Sequence, residues 1–365
     1  MLISRSQFLS SILALSLPST AFSLPDYIRK GYTSCTACHV SPQGGGVLTL
    51  YGRGVTEELS TVSYEGQGSF GFTPLTDKVA DPTGLFNLIT ADLQADARSV
   101  HIVSTDSQKP RRDILMEASV RAAFHVGKTT DIVISHGTYG RVDNEQQRNY
   151  YLALRTSKYL SISFGRFLPA YGINLDDHTA ITRSSLGFGE GQESINLSVH
   201  FEDENFQTTF TKVLGQDIEA TSKPGTLSYQ GDIVDRYIVR SAVKLGSKAL
   251  AGFSGLIDAR KRDAGLFASY APFRYLYVLA EYDNERVMEG GVYSGRNLYF
   301  ARAGSEVLRG VTLGLDISGE KSDIITRQRL DAFLYLMPTP HLSMRLMGRK
   351  EGEQTNIIGM FHLWL

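Results

Sequence analysis

Cysteine occurs only 2 times in the 365-residue chain, and both copies lie in Tyr27-Ile-Arg-Lys-Gly-Tyr-Thr-Ser-Cys35-Thr-Ala-Cys38-His39. Two thiols separated by two residues and followed directly by histidine have the spacing of a c-type haem attachment site. There the thiols add to the haem vinyl groups and the imidazole becomes the proximal iron ligand. Readings that use the thiols alone are weaker. A disulfide over so short a loop is strained, and a zinc site needs two further ligands at similar spacing, which are not found. A thioredoxin-like pair needs a βαβ context, whereas Gly44-Gly45-Gly46 and a long alternating pattern follow here.

Other groups can be weighed against that motif. Arg29 and Arg53, with Lys30, flank it as partners for haem propionates, although single basic residues are equally often solvated. No Met or His lies between His39 and His101, so a sixth iron ligand has to come from further along the chain. His178, in the long stretch from Pro169 to Gln192, and His125, on a polar register, are the candidates. His101, His136, His200, His341 and His362 are weaker, several of them sitting near turns or on uncertain registers.

Three regions position these residues. Residues 1–23 read as a signal peptide: Arg5, an apolar run from Phe8 to Leu17, then Ala21-Phe22-Ser23 before the cleavage point. Export to the periplasm follows, where haem is attached to cysteines. Residues 24–86 form the haem segment. Pro25 and Asp26 start a short helix, and Leu48, Tyr51, Val55 and Leu59 carry helical spacing for a second one between Val47 and Leu59. A domain of ~60 residues buries too little surface to be stable alone, so this segment should lean on the rest of the protein.

From residue 87 to 365 the period is two. Ile89, Ala91, Leu93, Ala95 and Ala97 alternate with Thr90, Asp92, Gln94, Asp96 and Arg98, and Ile114 to Phe124, Val311 to Ile317 and Ile357 to Leu365 repeat the pattern. Short connections at Gly127-Lys128, Ser157-Lys158, Gly246-Ser247-Lys248, Ala271-Pro272-Phe273, Leu308-Arg309-Gly310 and Pro338-Thr339-Pro340 alternate with longer ones. The long series includes Val142 to Gln147, Gly215 to Asp232, Asp283 to Arg296 and Lys321 to Arg327. Short turns at one end and long loops at the other, in an exported chain, indicate an all-β outer-membrane barrel and not a soluble sandwich. Dividing the stretch into about 16 strands leaves roughly 17 residues for each strand and its connection, against ~10 to cross the apolar band. No stretch after the signal is apolar enough for a transmembrane helix, and a net charge of -1 with pI near 6.7 gives no sign of nucleic-acid binding.

The polar registers place Arg121, Arg240, Lys244, Arg302, Arg345 and Arg349 in the lumen, where ordinary wetting accounts for most of them. The chain ends on Trp364-Leu365, with the aromatic residue one position short of the usual terminal one.

The run Arg29-Lys-Gly-Tyr-Thr-Ser-Cys35-x-x-Cys38-His39, with Leu50-Tyr51-Gly52-Arg53 after it, resembles the fused outer-membrane cytochrome–porin family. Its best-known members are iron(II) oxidases with one c-type haem ahead of a barrel. The resemblance covers the haem segment by motif and the remainder by architecture. It implies a 16-stranded barrel plugged by the haem segment and electron transfer between an extracellular donor or acceptor and a periplasmic cytochrome. Val40-Ser-Pro-Gln-Gly-Gly-Gly46 replaces the aromatic-rich run expected of the iron oxidases, which leaves the substrate open. A diffusion or transport porin with a structural or sensory haem is the alternative. Outer-membrane lipid would surround the barrel, and porins are often homotrimers.

Overall fold

The alternation read from Ile89 onward becomes a ring of antiparallel strands in the computed structural model. It describes residues 25–41, 44–62, 89–105, 111–139, 145–146, 149–175, 180–189, 192–215, 235–289, 292–323 and 325–365. The expected signal peptide at 1–23, the boundary at 86–87, and Asp176, Asp177, His178 and Glu190 lie outside the described residues.

The first half of the ring is β1 (Ile89–Ser104), β2 (Arg111–Val126), β3 (Thr130–Tyr139), β4 (Glu145–Gln146), β5 (Tyr150–Arg155), β6 (Leu160–Phe167), β7 (Ser194–Glu202) and β8 (Phe206–Gly215). The second half is β9 (Arg236–Lys244), β10 (Ala249–Ile257), β11 (Lys261–Phe273), β12 (Leu276–Glu289), β13 (Val292–Leu308), β14 (Val311–Ser322), β15 (Thr326–Thr339), β16 (Leu342–Glu351) and β17 (Gln354–Trp364). All belong to one 17-stranded sheet. The two-residue β4 only extends the pairing of β3, which also pairs directly with β5, so the closed ring has sixteen strands, the number expected. Closure comes from β1, which pairs with both β2 and β17. Reciprocal bonds join Ala95 and Leu365 at 3.0 and 2.9 Å, so the chain end completes the seam.

The faces sort by period two. On β14, Leu313, Leu315 and Ile317 point outward at 47, 54 and 51% exposure, while Thr312, Asp316 and Ser318 are buried inside. Outward apolar residues pay no penalty in lipid, and inward polar ones find partners in the lumen. Arg302, Arg345 and Arg349 lie inside as expected. Arg302 makes a bidentate pair with Asp316 at 2.8 and 2.9 Å, and Arg349 reaches Asp331 at 2.8 Å.

The end bearing Ile89 and Leu365 has only short connections, such as 127–129, 274–275 and 309–310, and the long ones lie opposite. Two expected long loops are instead strand. Asp283 to Arg296 belongs to the β12–β13 hairpin, with only 290–291 between the strands, and β14 and β15 continue to Ser322 and from Thr326. The charged residues there keep period two with pairs such as Glu285↔Arg296, so the ladder extends where composition alone suggested a loop.

Residues 25–62 sit inside the short-turn end of the ring. Arg29 and Lys30 pair with Glu306 on β13, the Thr36 hydroxyl donates to Glu202 on β7 at 3.2 Å, and Leu48 N–H donates to Gln94 on β1 at 3.1 Å. Thr61 N–H bonds Met337 O on β15 at 2.9 Å. Bonds to strands spread around the ring are how a segment too small for its own core becomes ordered. Its helices are a 3₁₀ turn at Pro25–Lys30 and α1 (Leu50–Leu59); turns and extended chain make up the rest, where a mostly helical segment was expected.

The connection between β6 and β7 also folds inward. Gly172 N–H donates to Ser254 at 2.8 Å, Ile173 N–H to Glu281 at 3.1 Å, and Arg240 Nε to Gly172 O at 2.7 Å. Gly172 adopts φ +51°, and a Cβ there would overlap the Glu281 carboxylate. The short α2 (Ile181–Ser184) follows, so this loop packs against the β9–β13 wall.

Candidate functional site

Both cysteines and the histidine lie in one turn held by α1. Cys38 N–H and His39 N–H donate to Cys35 O at 3.3 and 3.0 Å, closing a helical turn over the motif. Thr49 caps α1 by accepting from Gly52 N–H at 3.1 Å, its own N–H donates to Cys38 O at 2.8 Å, and its hydroxyl donates to Ala37 O at 3.0 Å. One threonine therefore starts the helix and fastens it to the motif. The approach is close enough that a Cβ at position 52 would lie 2.3 Å from Cys38 O. Gly44, at φ +81°, turns the chain back over Cys35.

Cys38 is buried against Val55, Leu59 and Met337, with Tyr27, Tyr335 and Trp364 packed around them. Burial, with a smaller contribution from Cys35, pushes its thiol up to about 12. Cys35 is half-buried beside a smaller cavity of about 90 Å³ that Arg240 also lines, and neither cysteine is in a disulfide. His39 forms a β-bridge with Leu48. Burial, helped by the Arg121 charge and opposed by a hydrogen bond with the Gly45 backbone, lowers its imidazole to about 4. The ring is therefore neutral at physiological pH, the form that ligates metals.

Cys38 and His39 open on a cavity of about 380 Å³ between residues 25–62 and the wall formed by β1–β3 and β15–β17. That volume falls within the range of ligand clefts. Its lining combines Tyr335, Met337, Met360 and Trp364 with Arg29, Arg98, Arg121 and Arg345. Cys38, the buried imidazole of His39 and the arginines around this hollow fit the chemistry of a covalent haem, while Cys35 lines the smaller cavity beside it. Among the described residues no group of three or more His, Cys, Asp or Glu side chains could hold a bare metal ion.

Arg29 lines the cavity, 4% exposed, and its guanidinium pairs with Glu306. Arg53 does not line it. Its Nη2 donates to Leu93 O at 2.8 Å and stands 3.9 Å from Asp92. His125 is on the lumen face but engaged at both ring nitrogens, Nδ1 with Asp131 at 2.6 Å and Nε2 with Asp92 at 2.9 Å, and it is away from the cavity. Sequence reasoning gave little weight to His362 and none to Met337 or Met360, all of which line the cavity. Inward parity along β17 singles out Met360, His362 and Trp364, and was the available signal.

No protein-family model matches the chain, and no curated relative does. Solved structures match it by shape. The outer-membrane channel DcaP of Acinetobacter baumannii is 12% identical with a TM-score of 0.56, over 76% of this chain and 98% of that one. The trimer form of OmpT from Vibrio cholerae is 9% identical with a TM-score of 0.60, over 76% and 99%. An anion-selective porin from Comamonas acidovorans is 11% identical with a TM-score of 0.59, over 76% and 100%. The fold is that of outer-membrane porins.

Proposed function

We propose that this chain is a bacterial outer-membrane protein that transfers electrons through one covalent c-type haem, held by Cys35 and Cys38 with His39 as proximal ligand at the periplasmic end of its barrel. The observation that carries this reading is the position of the Cys35–His39 turn inside the barrel, open to a ligand-sized cavity and secured to the wall by the segment that bears it. When bound, the haem supplies a one-electron iron couple. The chain's own residues do the rest. Thr49 and Gly52 fix the attachment turn, the Cys38 cluster excludes water, and Arg29, Arg98 and Arg121 offer cations to propionates. The hydrocarbon core is ~30 Å thick, longer than a haem, so an extracellular donor or acceptor has to reach into the barrel, and a periplasmic carrier has to dock at its short-turn mouth.

A second reading is a diffusion or transport porin in which the haem is structural or sensory. Similarity in fold to a channel and to an anion-selective porin favours it over electron transfer. The packing of residues 25–62 and of the inward loop weighs on the other side, because an open porin needs a continuous water path.

Two measurements separate them. Visible spectra of protein purified from the outer membrane of a strain that matures c-type haem, with Cys35→Ala as control, are expected to show reduced bands that survive acid extraction and vanish in the control. Solute flux in liposomes is expected to be low. Absence of haem would defeat both haem readings, and rapid flux from haem-loaded protein would favour the porin.

A further inference from the structure

The cavity that His39 opens onto contains a second imidazole already oriented by a carboxylate. His362 projects into the lumen from β17, and its Nε2 lies 2.9 Å from Asp96 Oδ1. Its other nitrogen, Nδ1, makes no hydrogen bond among the described residues, and the ring lies against Trp364, tilted by 45° with 4.8 Å between centroids. Asp96, 3% exposed, is in turn held by Gln94 Nε2 at 2.8 Å and by Arg121 Nε at 3.5 Å. The same Gln94 accepts from Leu48 N–H, and Leu48 is the β-bridge partner of His39. A single polar chain, Leu48 to Gln94 to Asp96 to His362, thus links the two histidines across the cavity edge.

A ligating histidine nearly always has its second nitrogen bonded to a carboxylate or carbonyl, which fixes the tautomer and aims the free lone pair. Asp96 gives His362 that arrangement and leaves Nδ1 as the ligating atom. The alternatives on the same cavity lack it. Met337 is packed into the cluster around Cys38, Val55 and Leu59, and Met360 packs against the cluster of Val100, Phe333, Met347 and Ile358. His125 has both nitrogens occupied.

We infer that His362, through Nδ1 and positioned by Asp96, is the distal ligand of a haem attached at Cys35, Cys38 and His39. The inference rests on the haem reading proposed above. It means that the barrel wall supplies the sixth ligand, so the amino-terminal segment and the closing strand share one site.

The test is electronic absorption, magnetic circular dichroism and electron paramagnetic resonance of the haem-loaded protein with its full barrel. Wild type is expected to be low-spin with two imidazole ligands. His362→Ala should turn high-spin and return to low-spin on adding imidazole, whereas Met360→Leu and Met337→Leu should keep the wild-type signals. His362→Met, which retains a ligand should the alanine variant lose its haem, is expected to give thioether signals and a raised reduction potential. A wild-type low-spin spectrum in haem-loaded His362→Ala or His362→Met would overturn the inference and leave the haem reading intact. Wild-type protein with no covalent haem would overturn both.

Discussion

Two glycines in α1 should respond in opposite directions to the same substitution. Gly→Ala in a helix interior normally stabilises it by about 1 kcal/mol, through lower unfolded-state entropy and better helix propensity. At Gly54 nothing lies within 4 Å of the new Cβ, so Gly54→Ala should strengthen the docked segment by about 0.5–1 kcal/mol. At Gly52 the Cβ would sit 2.3 Å from Cys38 O and 3.0 Å from Cys38 C and Cα, all backbone. Backbone cannot rotate away, so α1 has to lift off the Cys35–His39 turn, breaking the Thr49 bonds to Ala37 and Cys38. Overpacking of this kind costs about 1–3 kcal/mol, which outweighs the propensity gain and reverses the sign. The chain has 1 tryptophan, Trp364, and it packs against the cluster holding Val55 and Leu59. Its fluorescence therefore reports whether α1 is docked. Urea titration of the detergent-folded barrel, below the concentration that unfolds the strands, should show the Trp364 transition moving down in Gly52→Ala and up in Gly54→Ala. Equal shifts of the same sign in both variants would refute the close packing of α1 on the motif.

Other substitutions probe the frame. Glu306→Ala leaves Arg29 buried without its carboxylate; the loss should approach 3–5 kcal/mol and expose residues 25–62 to limited proteolysis of the folded barrel. Asp316→Ala removes the bidentate carboxylate from Arg302, 2% exposed, and the Arg345 contact at 3.4 Å, so the folded barrel should lose stability in thermal unfolding followed by gel mobility. Leu315→Arg puts a charge on the lipid face of β14 and should cost about 2–4 kcal/mol in reversible folding into vesicles. Deleting Trp364 and Leu365 removes the reciprocal Ala95–Leu365 bonds and should lower assembly yield in the outer membrane.

Residues whose role depends on one repeating local rule were legible beforehand. Period-two runs such as Val311–Ile317 gave the strands and faces, because a strand with lipid on one side and water on the other must alternate. Loop asymmetry pointed to a barrel, and dividing residues 87–365 among the alternating runs gave the strand number. Strand ends were less legible: Glu285 and Arg296 are charged and near a glycine pair, so they resemble a loop until their partners across the hairpin are known. The Cys35–His39 turn stood out because its spacing is rigid and local. His362 did not, because its importance depends on Asp96, 266 positions away in the chain, and on closure of β1 against β17, neither of which leaves a local signature.

The packing of the lumen divides it unevenly, and the division limits what any crossing species can use. Ile28, Ile173, Leu175 and Ala180 pack against β9–β13 together with Phe267, Tyr277 and Leu279, and Tyr171, Ile181 and Leu186 extend that region, leaving only the small cavity beside Cys35 and Arg240. Opposite, along β1–β3 and β15–β17, the larger cavity carries Arg98, Arg121 and Arg345 beside Asp96. Packed apolar side chains admit no hydrated solute, so a solute path runs along the arginine-lined side. That side also carries His39 and His362. A ligand seated there would narrow the passage that a porin would need. Conductance across planar bilayers should accordingly be higher for Cys35→Ala, which lacks the second attachment thiol, than for haem-loaded wild type. Equal conductance of the two would place the passage elsewhere in the barrel and detach the pore from the cysteine site.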